Sequence, residues 1–338
     1  MVIIYLFCSI QANFRHRIER KQGKCYTFAK SMWEVYSMFD ILIGTIIPVR
    51  KAAAMIPQLE PKGFECFELD FFGETPTQLD WSKLADEVNE KLNAARISAL
   101  GYYANPILRQ EDQENLKAVI KNARRFGCNV IGTFAGGDPE KSVPENLPGF
   151  KKVWMPIVQL AEDEGAKIGF EGCGSGWHSG SKNIGFCSDA WELIFDAIQS
   201  PSLGLEWEPC HALEKLADPV MQLRKWASKV VHVHGKDGTV AWDVIAQHGI
   251  DSGEPYCWNR TPGFGDTNWA DLFTILLQSG FVGACDIEGY HDPVHLDDME
   301  WSAQLTALDY MKRCRGGIEW FDIPEHRGYA KRIHKPHI

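Results

Sequence analysis

The chain has 338 residues, 45% of them hydrophobic, and its 12 tryptophans and 18 phenylalanines are enough for one large core. The net charge of −10 argues against a nucleic-acid partner, since phosphate binding depends on Lys and Arg, and equally against an anionic membrane surface. Ten cysteines occur without CxxC pairs, a pattern typical of reduced, mostly buried thiols. We therefore expect a cytoplasmic protein with a small-molecule partner.

The first segment of the chain differs in character from the rest. The apolar run MVIIYLFCSI at residues 1–10 is too short to span a bilayer, and it lacks the basic segment that precedes the apolar region of a secretory signal. We interpret residues 1–39 as an N-terminal extension outside the main domain. Residues 317–338 are interpreted as a C-terminal tail.

From residue 40 onward, short apolar runs alternate with longer amphipathic segments. The apolar runs are predicted strands at 40–49, 64–72, 97–105, 129–136, 167–173, 203–210, 230–237 and 283–289. Helices are predicted at 115–127, 150–165, 188–200 and 267–280. Such alternation is typical of an α/β fold, and we predict a single-domain (β/α)8 TIM barrel over residues 40–316. A doubly wound sheet stays open as the alternative, although no glycine-rich phosphate loop follows the first strand.

Charged residues occupy every second position near the ends of the last four predicted strands. Barrel strands present apolar side chains to the helices, and successive side chains alternate between the two faces, so the charged ones point inward. The upper layer, at the C-terminal strand ends, consists of Glu171, Glu208, His234 and Glu288. The lower layer, beneath it, consists of Glu206, His232 and Asp286.

Three carboxylates and one imidazole converging at one end of a barrel repel one another unless a cation lies among them. Three oxygens and one nitrogen suit Mn²⁺ first, with Mg²⁺, Co²⁺ or Zn²⁺ as alternatives. We therefore predict a divalent metal ion in the upper layer, at the barrel face where active sites lie. Each of these residues, taken alone, is also explained by a structural ion pair, and the lower layer is predicted to be structural.

Five motifs, GFEGC, WEPCH, HVHGKD, PGFGDTNW and DIEG, resemble in order and spacing the sugar phosphate isomerase/epimerase family of xylose isomerase-like barrels. The resemblance covers about residues 40–316, and it implies the same four metal ligands that the alternation indicates. The family's Asp-x-x-His is replaced here by a motif that begins at Glu208 and ends at His211. His211 matches a family histidine that contacts substrate oxygens, with a helix-cap or loop role as the structural alternative.

The resemblance also implies residues that contact the substrate around the metal. These are His211, Lys236, Asp237 and Glu68, and the sequence itself adds Arg260 in the long seventh loop and Trp177 and His178 in the glycine-rich loop GCGSGWHSGS as further candidate contacts. Pairing between Lys236 and Asp237, and a buried ion pair of Glu68 at the end of the second strand, are the structural alternatives. Cys173 and Cys210 flank the site, and we interpret them as packing residues rather than thiolate ligands.

The implied activity is that of a metal-dependent sugar, sugar phosphate or inosose isomerase or epimerase. Glu171 and Glu288 would act as the catalytic pair that removes and returns a proton next to a carbonyl. Three alternatives stay open: a lyase or hydrolase of 3-keto-sugars or an inosose dehydratase, an endonuclease IV-like phosphodiesterase, and a non-catalytic sugar-binding barrel. The acidic charge disfavours the phosphodiesterase. A homo-oligomer is left open.

Overall fold

The computed structural model describes residues 41–316. The predicted extension at 1–39 and the predicted tail at 317–338 lie outside these residues. Within the described part of the chain, no helix is both long enough and apolar enough to cross a membrane.

Eight parallel strands close into a barrel. They are β1 (Ile41–Pro48), β2 (Cys66–Asp70), β3 (Arg96–Gly101), β4 (Val130–Thr133), β5 (Lys167–Glu171), β6 (Leu203–Trp207), β7 (Val230–Gly235) and β10 (Gly283–Ile287). The last strand, β10, pairs in parallel with both β7 and β1. This pairing confirms the (β/α)8 TIM barrel, and the doubly wound alternative is wrong because an open sheet has no such closing pair.

Helices alternate with the barrel strands and surround them. They are α1 (Ala52–Leu59), α2 (Trp81–Asn89), α3 (Gln110–Asn122), α4 (Val143–Glu164), α5 (Ser188–Ala197), α6 (Cys210–Leu213), α7 (Pro219–Trp226), α8 (Trp242–His248), α9 (Trp269–Ser279) and α10 (Asp298–Arg315). An antiparallel hairpin of β8 (Asp237–Val240) and β9 (Cys257–Arg260) is inserted after β7. The sequence pattern did not predict this hairpin.

Local capping explains where helix α4 begins and ends. The Ser142 hydroxyl accepts a hydrogen bond from Glu145 N, and the Glu145 carboxylate accepts one from Ser142 N, which is a capping box. Gly165 ends the helix in the left-handed conformation with φ of 61°. The predicted helix at 150–165 therefore starts too late, because this capping signal lies before its apolar stripe.

The largest apolar side chains pack between the barrel strands and the helices. Trp154 of α4 meets Phe170 of β5 edge to face, with ring centroids 4.7 Å apart. The Trp154 indole N–H donates to Ala135 O at 2.8 Å, so its polar atom is satisfied inside the core. This packing holds β5, and with it Glu171, in place.

Most of the observed strands are shorter than predicted. The predicted strand 203–210 ends at Trp207, because Pro209 cannot donate to the ladder and instead precedes α6. The eighth barrel strand ends at Ile287 rather than at residue 289. Consequently Glu208 and Glu288 begin the loops at the C-terminal face, where active sites of such barrels lie.

Glycines in the strands make room for carboxylates inside the barrel. A Cβ atom added at Gly132 of β4 would overlap the carboxylate of Glu206. At Gly44 of β1, an added Cβ would overlap the carboxylate of Asp286. β1 and β4 therefore carry glycine at these two positions, and the space left by the missing side chains holds the carboxylates of Asp286 and Glu206.

We expect Gly132→Ala to lower the free energy of unfolding by about 1–3 kcal/mol, because the buried Glu206 carboxylate would have to move. Gly149→Ala is the matched control, since Gly149 lies exposed on α4 with no heavy atom within 4 Å of an added Cβ. That control should raise stability by about 0.5–1 kcal/mol through helix propensity. Urea denaturation of both variants measures the difference, and a neutral Gly132→Ala would contradict the close approach.

Candidate active site

The C-terminal end of the barrel brings together the four predicted metal ligands. Glu171 is the last residue of β5 and His234 lies in β7, while Glu208 and Glu288 directly follow β6 and β10. One potential ligand atom of each lies within 4.8 Å of the others, and all four side chains are buried. The upper layer is therefore compact enough to surround a single ion.

Three atoms of the upper layer are buried without a well-formed hydrogen bond among residues 41–316. They are Glu208 Oε1, which faces His211 Nε2, and His234 Nδ1 and Glu288 Oε2, which lie 3.4 Å apart. Buried polar atoms without partners cost free energy, and a cation beside them would supply the missing interaction. Three carboxylates and an imidazole are also a donor set that divalent ions such as Mn²⁺ accept, so the residues fit the predicted metal.

Lys236 is buried inside this acidic cluster. Its Nζ lies 2.9 Å from Glu288 Oε1 and 3.9 Å from Glu208 Oε2. Burial opposes its charge, but the two carboxylates outweigh burial and hold the pKa of Lys236 well above its usual value. Lys236 thus faces the upper layer, where a substrate oxygen would be within its reach.

His211 joins the same cluster from helix α6. Its Nε2 lies 2.5 Å from Glu208 Oε1 and 3.4 Å from Glu171 Oε1, whereas its Nδ1 lies 2.7 Å from Glu214 Oε2. The imidazole is therefore fixed from behind by Glu214 and points toward the upper layer.

The two carboxylates of the expected catalytic pair have opposite pKa shifts. Burial, with the charges of Glu208 and Glu288, raises the pKa of Glu171 to about 8, although His211 opposes the shift. Glu288 is equally buried, but Lys236 and His234 outweigh burial and hold its pKa well below the usual value. Glu171 therefore exchanges a proton near neutral pH, whereas Glu288 stays ionised.

Two predicted substrate contacts are instead engaged in loop structure. The Asp237 carboxylate accepts hydrogen bonds from Thr267 N and from Trp269 Nε1, both at 3.0 Å. Arg260 Nε lies 3.3 Å from Asp292 Oδ1 in the loop after β10. Lys236 and Asp237 do not pair with each other, because Asp237 anchors the segment after β9 while Lys236 faces Glu288, and the substrate contacts of Asp237 and Arg260 stay predictions.

Glu68 lies in the middle of β2 and not at its end, because the strand continues to Asp70. It is fully buried, and its Oε2 lies 2.9 Å from His234 Nε2, so the ion-pair alternative describes its contacts. Of the two residues predicted from the glycine-rich loop, Trp177 is half-buried against the apolar core and His178 is exposed.

The lower layer compensates its own charge. His232 lies between Glu206 and Asp286, with one ring nitrogen 2.8 Å from a carboxylate oxygen of each. Burial opposes its charge, but the hydrogen bonds that its ring N–H groups donate to Asp286 and Glu206 raise the pKa of His232 to about 10. The lower layer, predicted to be structural, thus pairs Glu206 and Asp286 with a protonated imidazole, which serves here as the cation.

Two polar residues at this end of the barrel were missed by the sequence analysis. Tyr103 Oη lies 2.8 Å from Glu68 Oε1, 2.9 Å from Glu206 Oε2 and 3.2 Å from His234 Nε2. The register of β2 against β3 shifts between Phe67 and Glu68, so simple alternation along the predicted strand 97–105 gives Tyr103 the face of Ile97 and does not place it inward. Asp70, the last residue of β2, has its pKa raised to about 6 mainly by burial.

The contacts of His232 predict a pH dependence of stability. Its folded-state pKa of about 10 exceeds the ordinary 6.5, so the stability from the charged imidazole is complete below pH 6.5. That stability is lost as the pH rises through about 10, by an amount on the order of a few kcal/mol. His232→Gln should be less stable than wild type near pH 6.5 and should lose less stability toward pH 10. The free energy of unfolding of both proteins is measured by urea denaturation at each pH. If it changed with pH by the same amount in both proteins, the assigned contacts would be contradicted.

Comparisons with known proteins agree with this architecture. The sequence profile of the family described as xylose isomerase-like TIM barrel matches residues 58–314. The uncharacterized protein YfiH of Bacillus subtilis is 25% identical over 173 residues, which is 47% of this chain and 50% of that protein. The chain thus spans about half the length of this curated relative.

Solved structures of the same fold include enzymes with different reactions. The 3-keto-D-glucoside 4-epimerase YcjR from E. coli is 14% identical, with a TM-score of 0.61, over 81% of this chain and 100% of that one. The probable 3-DHS dehydratase AsbF from Bacillus anthracis is 16% identical, with a TM-score of 0.57, over 78% and 98%. The IOLI protein with a bound zinc atom is 15% identical, with a TM-score of 0.60, over 81% and 98%. The TM-scores show a shared fold. The family profile establishes that the chain belongs to the xylose isomerase-like TIM-barrel family.

Proposed function

We propose that the protein is a metal-dependent enzyme that removes a proton next to the carbonyl of a sugar or sugar-like substrate. The observation that carries the proposal is the upper layer, in which three buried carboxylates and an imidazole converge and leave Glu208 Oε1, His234 Nδ1 and Glu288 Oε2 without a well-formed hydrogen bond. The structural relatives named as a sugar epimerase and a dehydratase support the substrate class. Isomerisation or epimerisation is the first candidate reaction.

The residues that would hold the ion are those of the upper layer: Glu171, Glu208, His234 and Glu288. Glu68 orients this set, because it accepts a hydrogen bond from His234 Nε2–H, so that His234 would offer Nδ1 to the ion once the Nδ1 proton is released. When bound, the metal supplies Lewis-acid stabilisation of the negative charge that develops on the substrate oxygens. Mn²⁺ is the proposed ion, with Mg²⁺, Co²⁺ and Zn²⁺ as alternatives.

Glu171 and Glu288 divide the proton transfer between them. Burial raises the pKa of Glu171 to about 8, and Glu171 would accept the proton after partial release from the ion, because a ligating carboxylate is a weak base. Glu288 directly follows β10, across the upper layer from β5, and would act on the opposite side of the same carbon. Lys236 would bind a substrate oxygen beside Glu288, and His211 would orient a substrate hydroxyl beside Glu171.

Elimination from a 3-keto-sugar or inosose is the second candidate, because it starts with the same proton removal. The observation that favours it is the burial that raises the pKa of Glu171, since a carboxyl that has accepted a proton and left the ion can donate to a departing hydroxyl or alkoxide oxygen. Epimerisation leaves the number of substrate atoms unchanged, whereas elimination releases water or an alcohol, so product analysis separates the two.

The cellular setting is a proposal as well. The eight cysteines within residues 41–316 are all free thiols, which supports a reducing, cytoplasmic environment. A homo-oligomer stays a prediction, and gel filtration with light scattering would decide it.

Metal titration tests the division into two layers. We expect the metal-free wild-type protein to bind one Mn²⁺ per chain in the upper layer by calorimetry, and Glu208→Gln to weaken the affinity at least about 10–100-fold. Glu206→Gln, one layer below, should retain the ion and instead lower the free energy of unfolding by about 1–3 kcal/mol. Equal loss of affinity in both variants would show that the layers are assigned wrongly.

Hydrogen exchange tests the chemistry. We expect the Mn²⁺-loaded protein to incorporate deuterium beside the carbonyl of one of a set of ketoses, inososes and 3-keto-glycosides in D₂O. Glu171→Gln should slow the exchange on the order of 10²-fold or more, because the proton acceptor is lost. Glu192→Gln is the control, since Glu192 pairs with Lys225 on the surface. If a substrate were turned over with no deuterium incorporated and no primary isotope effect, the proposed proton transfer would be contradicted. A hydride shift or a phosphodiester reaction would then take its place.

A further inference from the structure

The ends of β2, β3 and β4 form one side of the barrel mouth, the opening at the C-terminal face. Asp70 is the last residue of β2, Tyr103 follows the end of β3 by two residues, and Phe134 directly follows β4. In the closed barrel, β3 stands opposite β7 and β4 stands opposite β10. This side of the mouth therefore lies across from Lys236 and Glu288, and the proposed proton transfer does not use it.

The three side chains share the inward face of their strands. A Cβ atom added at Gly101 or at Gly132 would overlap a carboxylate inside the barrel, so both glycines face the interior. Tyr103 and Phe134 each lie two residues beyond one of these glycines, and Asp70 pairs with Gly101 in the register of β2 with β3. Because side chains two residues apart point to the same face, all three are directed to the mouth.

Tyr103 and Phe134 form a pair of aromatic rings. Their centroids lie 5.3 Å apart with the planes inclined by 50°, and both residues are partly exposed. The Tyr103 hydroxyl is directed down into the barrel, where it contacts Glu68, Glu206 and His234. The ring of Tyr103, and not its hydroxyl, is therefore left to meet a ligand beside Phe134.

Hydrogen bonds between the loops after β3 and β4 hold this pair in place. Asn105 Nδ2 donates to Gly137 O at 2.7 Å, and Gly137 N donates to Asn105 Oδ1 at 3.1 Å. Thr133 Oγ1 also donates to Tyr102 O at 2.8 Å. Because the two loops are already tied together, the rings need little ordering when a ligand binds.

Asp70 adds a carboxylate to the aromatic pair. Its Oδ1 accepts a hydrogen bond from Phe72 N at 2.9 Å, whereas its Oδ2 has no hydrogen-bond partner within residues 41–316. Burial raises the pKa of Asp70 to about 6, and the charges of Glu68 and Glu288 act in the same direction, so the carboxylate lies near the upper layer. An ionised carboxylate accepts hydrogen bonds from hydroxyl groups and repels a phosphate group.

No basic residue follows these strand ends closely. Residues 70–75, 101–107 and 133–138 contain neither Lys nor Arg. This side of the mouth therefore suits an uncharged part of a substrate. The basic residues nearest to these segments along the chain or across the loops each pair with an acid: Arg50 with Glu74, Arg109 with Asp112, and Lys141 with Asp138.

We propose that Asp70, Tyr103 and Phe134 form a subsite for an uncharged, ring-form sugar or cyclitol. The C–H face of the ring would pack on the two aromatic rings, and its hydroxyls would donate to Asp70. The inference rests on the proposed function, because this subsite would hold the part of the substrate remote from the reacting carbonyl. It deepens that function by selecting cyclic, unphosphorylated substrates over open-chain ketoses and sugar phosphates.

Binding of unreactive probes tests the subsite without turnover. myo-Inositol is an uncharged ring without a carbonyl, and D-glucitol is an open-chain polyol with the same number of hydroxyl groups. We expect metal-free wild-type protein to bind myo-inositol at least several-fold more tightly than D-glucitol in ligand-observed NMR titrations. myo-Inositol 1-phosphate should also bind more weakly than myo-inositol, because Asp70 repels its charge.

Variants assign this preference to the named side chains. Phe134→Leu should weaken myo-inositol binding about 3–10-fold, whereas Phe134→Tyr should retain it because the ring is kept. Asp70→Asn should weaken it on the order of 10-fold and reduce the discrimination against the phosphate. Phe195→Leu is the matched control and should bind as wild type does, since Phe195 packs against Trp226 among the helices.

The wild-type comparison keeps the test decisive if a variant fails to fold. Equal affinity for myo-inositol and D-glucitol, or tighter binding of the phosphate, would overturn the proposal. So would a Phe134→Leu protein that is folded by circular dichroism and binds myo-inositol as tightly as wild type. A wild-type protein that shows the probe preference but binds no Mn²⁺ by calorimetry would support the subsite and contradict the proposed metal chemistry, so the two failures are distinguishable.

Discussion

The imidazole of His234 stands between two groups of buried carboxylates, and its two nitrogens meet different environments. Nε2 lies 2.9 Å from Glu68 Oε2 in the barrel interior, whereas Nδ1 faces Glu288 without a hydrogen bond. Buried charge is tolerated only where a counter-charge is close. Below His234 that counter-charge is the protonated His232; above it, Lys236 and His211 leave three atoms of the upper layer without a well-formed hydrogen bond.

Much of the backbone follows from this need to accommodate charge inside the barrel. Gly44 and Gly132 interrupt otherwise apolar strands because Asp286 and Glu206 occupy the space that their side chains would fill. The short strand β6 ends before Pro209, which places Glu208 in a loop instead of the ladder. The same constraint therefore determines where strands carry no side chain and where they stop.

Alternation along the strands predicted the barrel and the assembly of the upper layer, because side-chain direction in a strand depends only on position. Alternation did not show how deep Glu68 lies in the barrel, because that depth depends on β2 continuing to Asp70. Tyr103 was missed because an aromatic residue near a strand end also suits the core. The partners of Asp237 and Arg260 come from loops far along the chain, and no local pattern specifies such contacts.

The central claim is that a metal ion belongs among Glu171, Glu208, His234 and Glu288. It does not belong in the lower layer, where the protonated His232 already balances the carboxylate charge. Anomalous diffraction from a crystal of the Mn²⁺-loaded protein tests this claim most directly. The account predicts one strong manganese peak within bonding distance of these four side chains, on the Nδ1 side of His234. A peak between Glu68, Glu206 and His232, or no peak in the barrel at saturating Mn²⁺, would contradict it.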